Sequence, residues 1–267
     1  MADNSYYWSN KAARTKVAKA HTKQMAEKYA KEIEDSVNGT HRYDGNLKIL
    51  EGKHKTTDII MEVYEGDSVS AVLDLCEENK KTAVLNFASY KYAGGGFMNG
   101  SRAQEECLCH ESFLYNVLSA FEESYYVPNR NDLNRALYRD KALYSPNIRF
   151  TRNEREAACD VLTCAAPNYS TAKKHVSLAE NNQALRHRVR FILEIAKREN
   201  VDTFILGAWG CGVFEQNPKV LAQYFAEESK KVFVNHKIRL VFAVIPALPN
   251  QTDNLTPFVD MVNAERR

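Results

Sequence analysis

The sequence of 267 residues contains no long apolar run and no excess of charge of either sign. Its longest apolar run, Leu240–Ile245, ends at Pro246 and is far shorter than the ~20 residues that a membrane-spanning helix needs. The N-terminal 35 residues are rich in lysine and lack an apolar stretch, so no signal peptide is expected. The 36 basic residues barely outnumber the 34 acidic ones, which argues against general nucleic-acid binding.

The six cysteines form no CxxC pair and no dense framework, which predicts a reduced, cytoplasmic protein without disulfides. The nearest approach to a metal motif is the group Cys107, Cys109 and His110. Helix positions two apart diverge, whereas zinc ligands usually follow i,i+3 or i,i+4 spacing or a knuckle loop. We therefore expect packed thiols there, with metal binding as the less favoured alternative.

Glycine is also scarce, with 11 residues, or about 4% of the chain against a usual ~7%. Seven of these glycines lie in two short segments, 94–100 and 207–212. A chain that uses so little glycine elsewhere has a specific need for it in these segments, which are therefore the first candidates for a functional site.

Strand-like and helix-like segments alternate along most of the chain, after a helical extension of about 50 residues. The predicted strands are Thr57–Tyr64, Ala83–Ala88, Ala142–Tyr144, Asp160–Ala165, Thr203–Leu206 and Ile238–Ile245. The predicted helices are Ala12–Val37 in the extension, then Ser68–Glu78, Gln104–Leu118, Asn182–Arg198 and Pro218–Asn235. This alternation predicts a three-layer α/β/α fold with a largely parallel sheet, in a single domain over residues 1–267.

Each glycine segment follows a predicted strand and precedes a predicted helix. Ligands of open α/β sheets bind beyond the carboxyl ends of the strands, and free backbone N–H groups in glycine turns form anion sites. Two such turns at neighbouring strand ends can hold a diphosphate between them. The alternative is that both are merely tight strand-to-helix turns.

Neither common phosphate-binding motif fits these segments. A dinucleotide fingerprint GxGxxG would need a third glycine where Glu215 follows Gly210 and Gly212. A P-loop has the spacing of Gly95 and Gly100, but Ser101 replaces the lysine that grips the phosphate. An unrelated nucleotide-binding α/β enzyme is thus a weak alternative.

The segment around the first glycine cluster resembles the signature of a known enzyme family. Three glycines, seven further residues and then Gln104-Glu105-Glu106 resemble the GGG-x7-QEE signature of the poly(ADP-ribose) glycohydrolases. The wider context NFASYKYAGGGFMNGSRAQEECL, together with ALYSP, DVLTCAAPN and GCGVF further along, is similar to the small microbial branch of that family. One departure is Ala93, where the family often has proline.

The resemblance implies a macrodomain-like fold with a mixed sheet that binds ADP-ribose and hydrolyses a ribose–ribose or ribose–protein bond. It implies that Glu106 is the catalytic acid and that Glu105 holds ribose hydroxyls. The substrate-binding residues that it implies are Asn86, Gly94, Gly95, Gly96, Phe97, Asn99, Gln104, Gly210, Cys211, Gly212, Val213 and Phe214. It implies no metal and no cofactor, and ADP-ribosylated macromolecules as partners; we expect a monomer without membrane association.

The residues themselves are compatible with glycoside hydrolysis, which needs a carboxylic acid to protonate the leaving oxygen. Glu106 lies in the first turn of a predicted helix, whose positive end favours the charged carboxylate. Desolvation, Glu105 and a bound diphosphate oppose a second anion, and we expect them to keep Glu106 protonated once ligand is bound. The alternative is that both acids only complement the helix dipole.

Several other side chains have two possible roles. Phe214 is expected to line the site, and Trp209 either stacks on a base or packs in the core. The candidate neighbours of adenine are Tyr90, Tyr92 and Tyr169. The cations expected on a solvated helix face, with steering of a polyanion as the alternative, are Arg186, Arg188, Arg190, Lys197 and Arg198.

Two alternatives to a poly(ADP-ribose) glycohydrolase remain open. The sequence does not separate it from a mono-ADP-ribosyl hydrolase acting on modified protein or nucleic acid, because the choice of linkage depends on what flanks the distal ribose. A non-catalytic ADP-ribose-binding module would need neither Glu105 nor Glu106 as an acid.

Overall fold

The computed structural model describes residues 10–45, 47, 58–249 and 252–266. The strands in this part of the chain are β1 (His41–Asp44), β2 (Asp58–Glu65), β3 (Thr82–Phe87), β4 (Lys141–Arg152), β5 (Arg155–Cys164), β6 (Thr203–Leu206) and β7 (Lys237–Val244). Its α-helices are α1 (Lys11–Lys28), α2 (Ala30–Gly39), α3 (Ser68–Leu75), α4 (Gln104–His110), α5 (Leu114–Ser119), α6 (Val127–Asn131), α7 (Tyr169–Ala172), α8 (Leu178–Arg198), α9 (Pro218–Val232) and α10 (Thr256–Glu265).

The strands form one sheet in the order β1-β4-β5-β3-β6-β7-β2. The five strands from β2 to β5 in this order are parallel, whereas β4 pairs antiparallel with β5 and β1 pairs antiparallel with β4. In β3, Leu85 packs beneath α8, α9 and α10, while Val84 packs on the opposite face against α1, α3, α4 and α5. The predicted three-layer α/β/α fold with a mixed, largely parallel sheet is confirmed.

The predicted helix Ala12–Val37 is wrong in one respect, because it is divided at Tyr29 into α1 and α2. The Tyr29 ring turns into the core against Phe113, with the ring centroids 5.6 Å apart, and its hydroxyl donates to Glu156 Oε2. Burial of this side chain is obtained at the expense of helical backbone geometry, since its φ of −122° departs from the helical value.

The predicted helix Gln104–Leu118 is also two helices. Between α4 and α5, Ser112 leaves the helical path and forms an isolated antiparallel bridge to Phe150 of β4. The Ser112 hydroxyl donates to Leu108 O and accepts from Leu114 N, so it replaces helical backbone hydrogen bonds at this point. Through this bridge, the break between α4 and α5 contacts β4.

The two short strands that were predicted to end at proline turns, at Pro146 and Pro167, are instead a long hairpin of β4 and β5. Pro146 does not end β4, because it lies in an irregularity where the register shifts between Ser145 and Ile148. A proline is tolerated at such a bulge since no ladder hydrogen bond is required of it. The hairpin places the start of β4, which pairs Ala142 with Cys164, at the edge where the parallel strands end.

Arg188 is the exception among the cations predicted on the solvated face of α8. It is only 1% exposed and donates to Asp140 Oδ1 at 2.6 Å and to Ala165 O. A buried guanidinium needs such partners, and it ties α8 to the segments after β5 and before β4. Arg186 and Arg190 pair with glutamates on α9 and α8, so intramolecular pairs account for much of this polar face.

The six cysteines are all described, and none of them forms a disulfide. No helix in the described ranges has the length and apolar character needed to cross a bilayer. The single domain over residues 1–267 remains a prediction. It includes residues 1–9, 46, 48–57, 250–251 and 267, which lie outside the described ranges, as does Thr57 at the start of the predicted second strand.

Candidate active site

Both glycine segments lie beyond the carboxyl ends of adjacent strands. The first glycine turn, residues 94–96, follows β3, and the second glycine turn, residues 207–214, follows β6. These strands are neighbours, since Val84 of β3 is opposite Ile205 of β6. The turns therefore face each other across one end of the sheet, which is where ligands of α/β sheets bind.

Glu105 lies at the inner side of this edge, at the start of α4. Its Oε2 accepts a hydrogen bond from Ser89 N at 2.7 Å, and its Oε1 accepts from Asn86 Nδ2 at 3.1 Å. Asn86 is the last buried polar residue of β3 and also donates to Thr163 Oγ1 on β5. Burial raises the pKa of Glu105 to about 8, although both hydrogen bonds act to lower it. This carboxyl is therefore mostly protonated at neutral pH.

We expect the protonated Glu105 to make the protein less stable as pH rises. A carboxyl whose pKa is higher in the folded than in the unfolded chain stabilises the fold at low pH, and this contribution is lost as pH approaches the folded pKa. Between about pH 5 and 8, the free energy of unfolding should therefore fall in wild type relative to Glu105→Gln, by up to about 1.4 kcal/mol per pH unit. Urea unfolding at several pH values measures this difference.

Glu228 provides the matched control for this experiment because it is another buried glutamate. Burial alone would raise its pKa, but hydrogen bonds from Lys231 and Arg186 lower it overall. The difference in stability between wild type and Glu228→Gln should thus be nearly constant above pH 5. A constant difference for Glu105→Gln as well would contradict the raised pKa.

Glu106, the neighbour of Glu105, faces the first glycine turn. Its Oε1 accepts from Gly96 N at 2.8 Å and its Oε2 from Ala103 N at 2.9 Å. The second contact satisfies a backbone donor at the helix start, as the glutamate of a capping box does. Glu106 is 6% exposed and Glu105 is 3% exposed, so both carboxyls are withdrawn from bulk water.

Gly95 lies against both carboxyl groups. Its backbone φ is +60°, and a Cβ atom at this position would lie 2.7 Å from Glu105 Oε2 and 2.7 Å from Glu106 Oε1. The two oxygens are therefore no more than twice this distance apart, and both approach the backbone of the same turn. Glycine at this position is what allows two carboxyls to converge beside the turn.

The side chain of Gln104, which was predicted to bind substrate, forms hydrogen bonds to other parts of the protein. Its Oε1 accepts from Phe87 N, and its Nε2 donates to Leu85 O and to Ser68 Oγ. These three bonds attach the start of α4 to the end of β3 and to α3. Gln104 therefore positions the two glutamates that follow it.

The second glycine turn is shaped by close packing on one side and open space on the other. Gly210 has a φ of +78°, and a Cβ there would lie 2.8 Å from Ala166. Gly212 has nothing within 4 Å of its Cβ position, and Val213 beside it is 81% exposed. Phe214 O accepts from Ser170 N, and the Phe214 ring contacts Tyr138 edge-on. The turn thus has a supported base and a free outer face.

Several sequence-predicted residues do not present a side chain to this cleft. The Phe97 ring is fully buried between His110 and Tyr115, and Tyr90 is buried with its ring stacked on Tyr138. Trp209 is also core, with its Nε1 donating to Cys164 O. The aromatic and cysteine residues that were predicted to contact ligand or to stack on a base, and that are buried, are Phe97, Tyr90, Trp209 and Cys211. Their size and low polarity favour packing over exposure at these positions.

Asn99 is exposed on the short turn after Phe97, and Tyr92 is 51% exposed before the first glycine turn. Tyr169 begins α7, next to the residue that binds Phe214 O. Their contacts with a ligand remain predictions. Sequence reasoning missed Ser89, which binds Glu105 only through its backbone N–H and leaves no signal in the side-chain pattern.

A cavity of about 520 Å³ lies beyond the ends of β3, β6, β7 and β2, and Gln104 and Cys107, which flank the two glutamates in sequence, line it. Its apolar lining includes Val69, Phe87, Leu108 and Ile245. Asp67, at the N-cap of α3, also lines the cavity. Its negative charge is already paired within the protein, because Arg152 donates to both of its carboxylate oxygens. A cavity of this size and lining suits an aromatic, partly polar ligand.

The cysteine and histidine group raised as a metal alternative is packed: Cys109 is buried and the His110 ring contacts Phe97. Among the residues that the structure describes, no three His, Cys, Asp or Glu side chains are arranged to hold a metal ion.

Comparison with known proteins decides the family of this chain. The family described as "Microbial-type PARG, catalytic domain" matches residues 8–153, which is more than half of the sequence. The chain belongs to this family. A comparison with curated protein sequences gave no match.

Solved structures of poly(ADP-ribose) glycohydrolases (PARGs) share its fold. The Thermomonospora curvata enzyme bound to the inhibitor ADP-HPD has a TM-score of 0.79 and 28% identity, covering 93% of this chain and 99% of that chain. The Deinococcus radiodurans enzyme in complex with ADP-ribose has a TM-score of 0.75 and 30% identity, covering 88% and 98%. The protein is thus a PARG-like ADP-ribose hydrolase with a macrodomain-like fold.

Proposed function

We propose that this PARG-family enzyme hydrolyses the O-glycosidic ribose–ribose bond of poly(ADP-ribose) and releases ADP-ribose, with Glu106 as general acid and without a metal ion. The observation that carries the proposal is the convergence of Glu105 and Glu106 on Gly95 of the first glycine turn, at the end of the sheet where the second glycine turn also lies. The D. radiodurans and T. curvata relatives, solved with ADP-ribose and ADP-HPD, support the choice of ligand.

The ligand is placed by matching its chemistry to the cleft. The diphosphate lies between the glycine turns, whose backbone N–H groups suit an anion. Adenosine occupies the cavity of about 520 Å³ beyond β6 and β7, where the Phe87 and Ile245 side chains offer apolar surface. The distal ribose then reaches the carboxyls at the end of β3, with Phe214 and Val213 on its other side.

The proposed reaction begins with proton transfer from the Glu106 carboxyl to the glycosidic oxygen. The bond between that oxygen and the anomeric carbon breaks, and the shortened polymer leaves with the proton. The positive charge that develops on the ribose is stabilised by the nearby diphosphate and the new Glu106 carboxylate. Water then adds to the anomeric carbon and returns a proton to Glu106.

The close approach of the two carboxyls argues against a mechanism in which they act from opposite faces of the sugar. Carboxyls that act from opposite faces of a sugar with water between them are about 6.5–9.5 Å apart. The nearest oxygens of Glu105 and Glu106 are closer than this, since each lies 2.7 Å from the position that a Cβ atom on Gly95 would occupy. We therefore assign proton donation and later proton acceptance to the same residue, Glu106.

Glu105 is proposed to hold the ribose hydroxyls rather than to transfer the proton. Its oxygens already accept from Ser89 N and Asn86 Nδ2, which fixes the carboxyl rigidly. In its neutral form the carboxyl has an O–H that can donate and an oxygen that can still accept, so a ribose hydroxyl can be added without breaking this arrangement. A rigid, mostly neutral carboxyl at this position orients the sugar without adding a second charge.

The proposed function is tested by the products released from defined substrates. We expect the protein to release free ADP-ribose from automodified, poly(ADP-ribosyl)ated protein, with chromatography and mass spectrometry as the measurement. Release from mono-ADP-ribosylated protein alone would replace the proposal with the mono-ADP-ribosyl hydrolase alternative. Tight ADP-ribose binding without release from either substrate would indicate a binding module.

A further inference from the structure

Tyr92 is an exposed aromatic side chain outside the hydrophobic core clusters of the described residues, directly before the first glycine turn. It is 51% exposed, whereas its neighbour Tyr90 is buried. Its backbone is nevertheless fixed, because Tyr92 N donates to Ser89 Oγ and Tyr92 O accepts from Gly95 N. An exposed ring on such a rigid backbone is suited to binding, since little conformational entropy is lost when a ligand contacts it.

Two cations lie against this ring. Arg130 of α6 is 5.4 Å from the Tyr92 ring centroid and donates to Lys91 O, and Lys91 Nζ is 5.8 Å from the same centroid. Arg130 is paired with Glu122. Within the described residues, no carboxylate lies within ion-pair distance of Lys91 Nζ, so its charge is available to an anion from solution.

The same segment is linked to the carboxyl pair. Ser89 N donates to Glu105 Oε2, and Ser89 Oγ accepts from the backbone of Lys91 and Tyr92. Ser89 therefore connects Glu105 of the carboxyl pair with the backbone turn that carries the exposed ring.

The order of the strands places this ring on the far side of the carboxyls from the cavity. The cavity lies beyond β3, β6, β7 and β2. Tyr92 instead contacts α6, whose Asn129 donates to Tyr90 O, and the turn before α6 is joined to the start of β4 by Tyr125. Along the sheet edge, the order is thus cavity, glycine turns and carboxyls, then Tyr92.

We infer that Tyr92 and Lys91 form a binding site for the next ADP-ribose unit of the polymer, with adenine stacked on Tyr92 and its diphosphate near Lys91. This inference rests on the proposed function, which puts the terminal unit in the cavity and its scissile bond at Glu106. The chain beyond that bond must then leave on the Tyr92 side. The site makes the enzyme favour polymer over a single ADP-ribose unit, because only a polymer fills both halves.

The test compares two ligands in the Glu106→Gln variant, which is used so that neither ligand is consumed. Fluorescence anisotropy measures the Kd of ADP-ribose and of a short poly(ADP-ribose) of one chain length. Adding Tyr92→Ala should raise the polymer Kd about 10-fold, as expected for the loss of one base–aromatic stack, and leave the ADP-ribose Kd within about 2-fold. Tyr92→Phe should retain polymer affinity. Lys91→Gln should reduce the salt dependence of polymer binding.

Tyr224 supplies the matched control, because it also lies beneath an arginine, Arg186, at 5.2 Å, but on α9 away from the cleft. Tyr224→Ala should leave both affinities unchanged. An unchanged polymer Kd in Tyr92→Ala would overturn the inference, and so would an equal loss for both ligands, which would put Tyr92 in the ADP-ribose cleft itself. Failure of the proposed function shows separately, as absence of ADP-ribose release by the wild-type protein.

Discussion

Glu106→Gln is expected to lower the rate of ADP-ribose release from poly(ADP-ribose) by on the order of 10²–10⁴-fold, the usual contribution of a general acid. Glutamine has nearly the same shape as glutamate, and its side-chain oxygen can still accept from Gly96 N. Its amide cannot protonate a leaving oxygen. The loss should therefore fall on kcat, while the affinity for ADP-ribose changes by no more than a few-fold.

Single-turnover measurements on purified polymer, with calorimetric titration of ADP-ribose, separate these two effects. Glu228→Gln is the control, because it removes a buried glutamate that pairs with Arg186 and Lys231, away from the cleft. It should keep wild-type turnover. If Glu106→Gln turns over polymer within 10-fold of wild type, another group supplies the proton and the assignment fails.

Gly95→Ala is expected to have the second large effect, a loss of turnover of at least about 100-fold, as small misplacements in an active site can produce. The added Cβ would lie 2.7 Å from oxygens of both Glu105 and Glu106. Neither carboxyl can retreat freely, since each is buried and accepts two hydrogen bonds. The left-handed backbone at Gly95 adds a cost of about 1–2 kcal/mol in stability.

Gly212→Ala is the matched substitution in the second glycine turn. Its φ does not lie in the left-handed region and its Cβ would meet nothing within 4 Å, so the free energy of unfolding should stay within about 0.5 kcal/mol of wild type. Any weakening of ADP-ribose binding in this variant therefore reports contact between ligand and turn. Wild-type turnover in Gly95→Ala, measured alongside thermal unfolding, would refute the close convergence of the two carboxyls.

The strands and helices that pack by their own periodicity were predictable from the sequence. Thr203–Leu206 agrees with β6 at both ends, and the predicted helices over 182–198 and 218–235 correspond to α8 and α9. Their apolar residues repeat with the spacing of the element, so local sequence and core packing favour the same structure. The two glycine segments were also predicted correctly to lie at neighbouring strand ends. The signal here was local as well, since glycine is favoured in tight turns whose backbone conformation other residues rarely adopt.

The elements that were missed depend on contacts distant in sequence. Tyr29 divides α1 from α2 because its ring packs against Phe113 and its hydroxyl reaches Glu156. Pro146 remains inside β4 because a bulge accommodates it opposite β5. Arg188, which follows the polar spacing of α8, is buried because Asp140 and two backbone carbonyls meet it in the core. None of these partners is visible in a local pattern.

The sequence by itself determined the family and the α/β class and predicted the two glutamates as the acid site, because these follow from local spacing and from a motif that is contiguous in the chain. The tertiary structure decided what each carboxyl experiences. Helix position alone favours the charged form of both, but burial beside Asn86 raises the pKa of Glu105 to about 8, while Glu106 faces the glycine turn. It also separated Tyr92 from Tyr90, which the sequence treats alike. Burial and charge environment arise from residues brought together by folding, so only the folded chain distinguishes such neighbours.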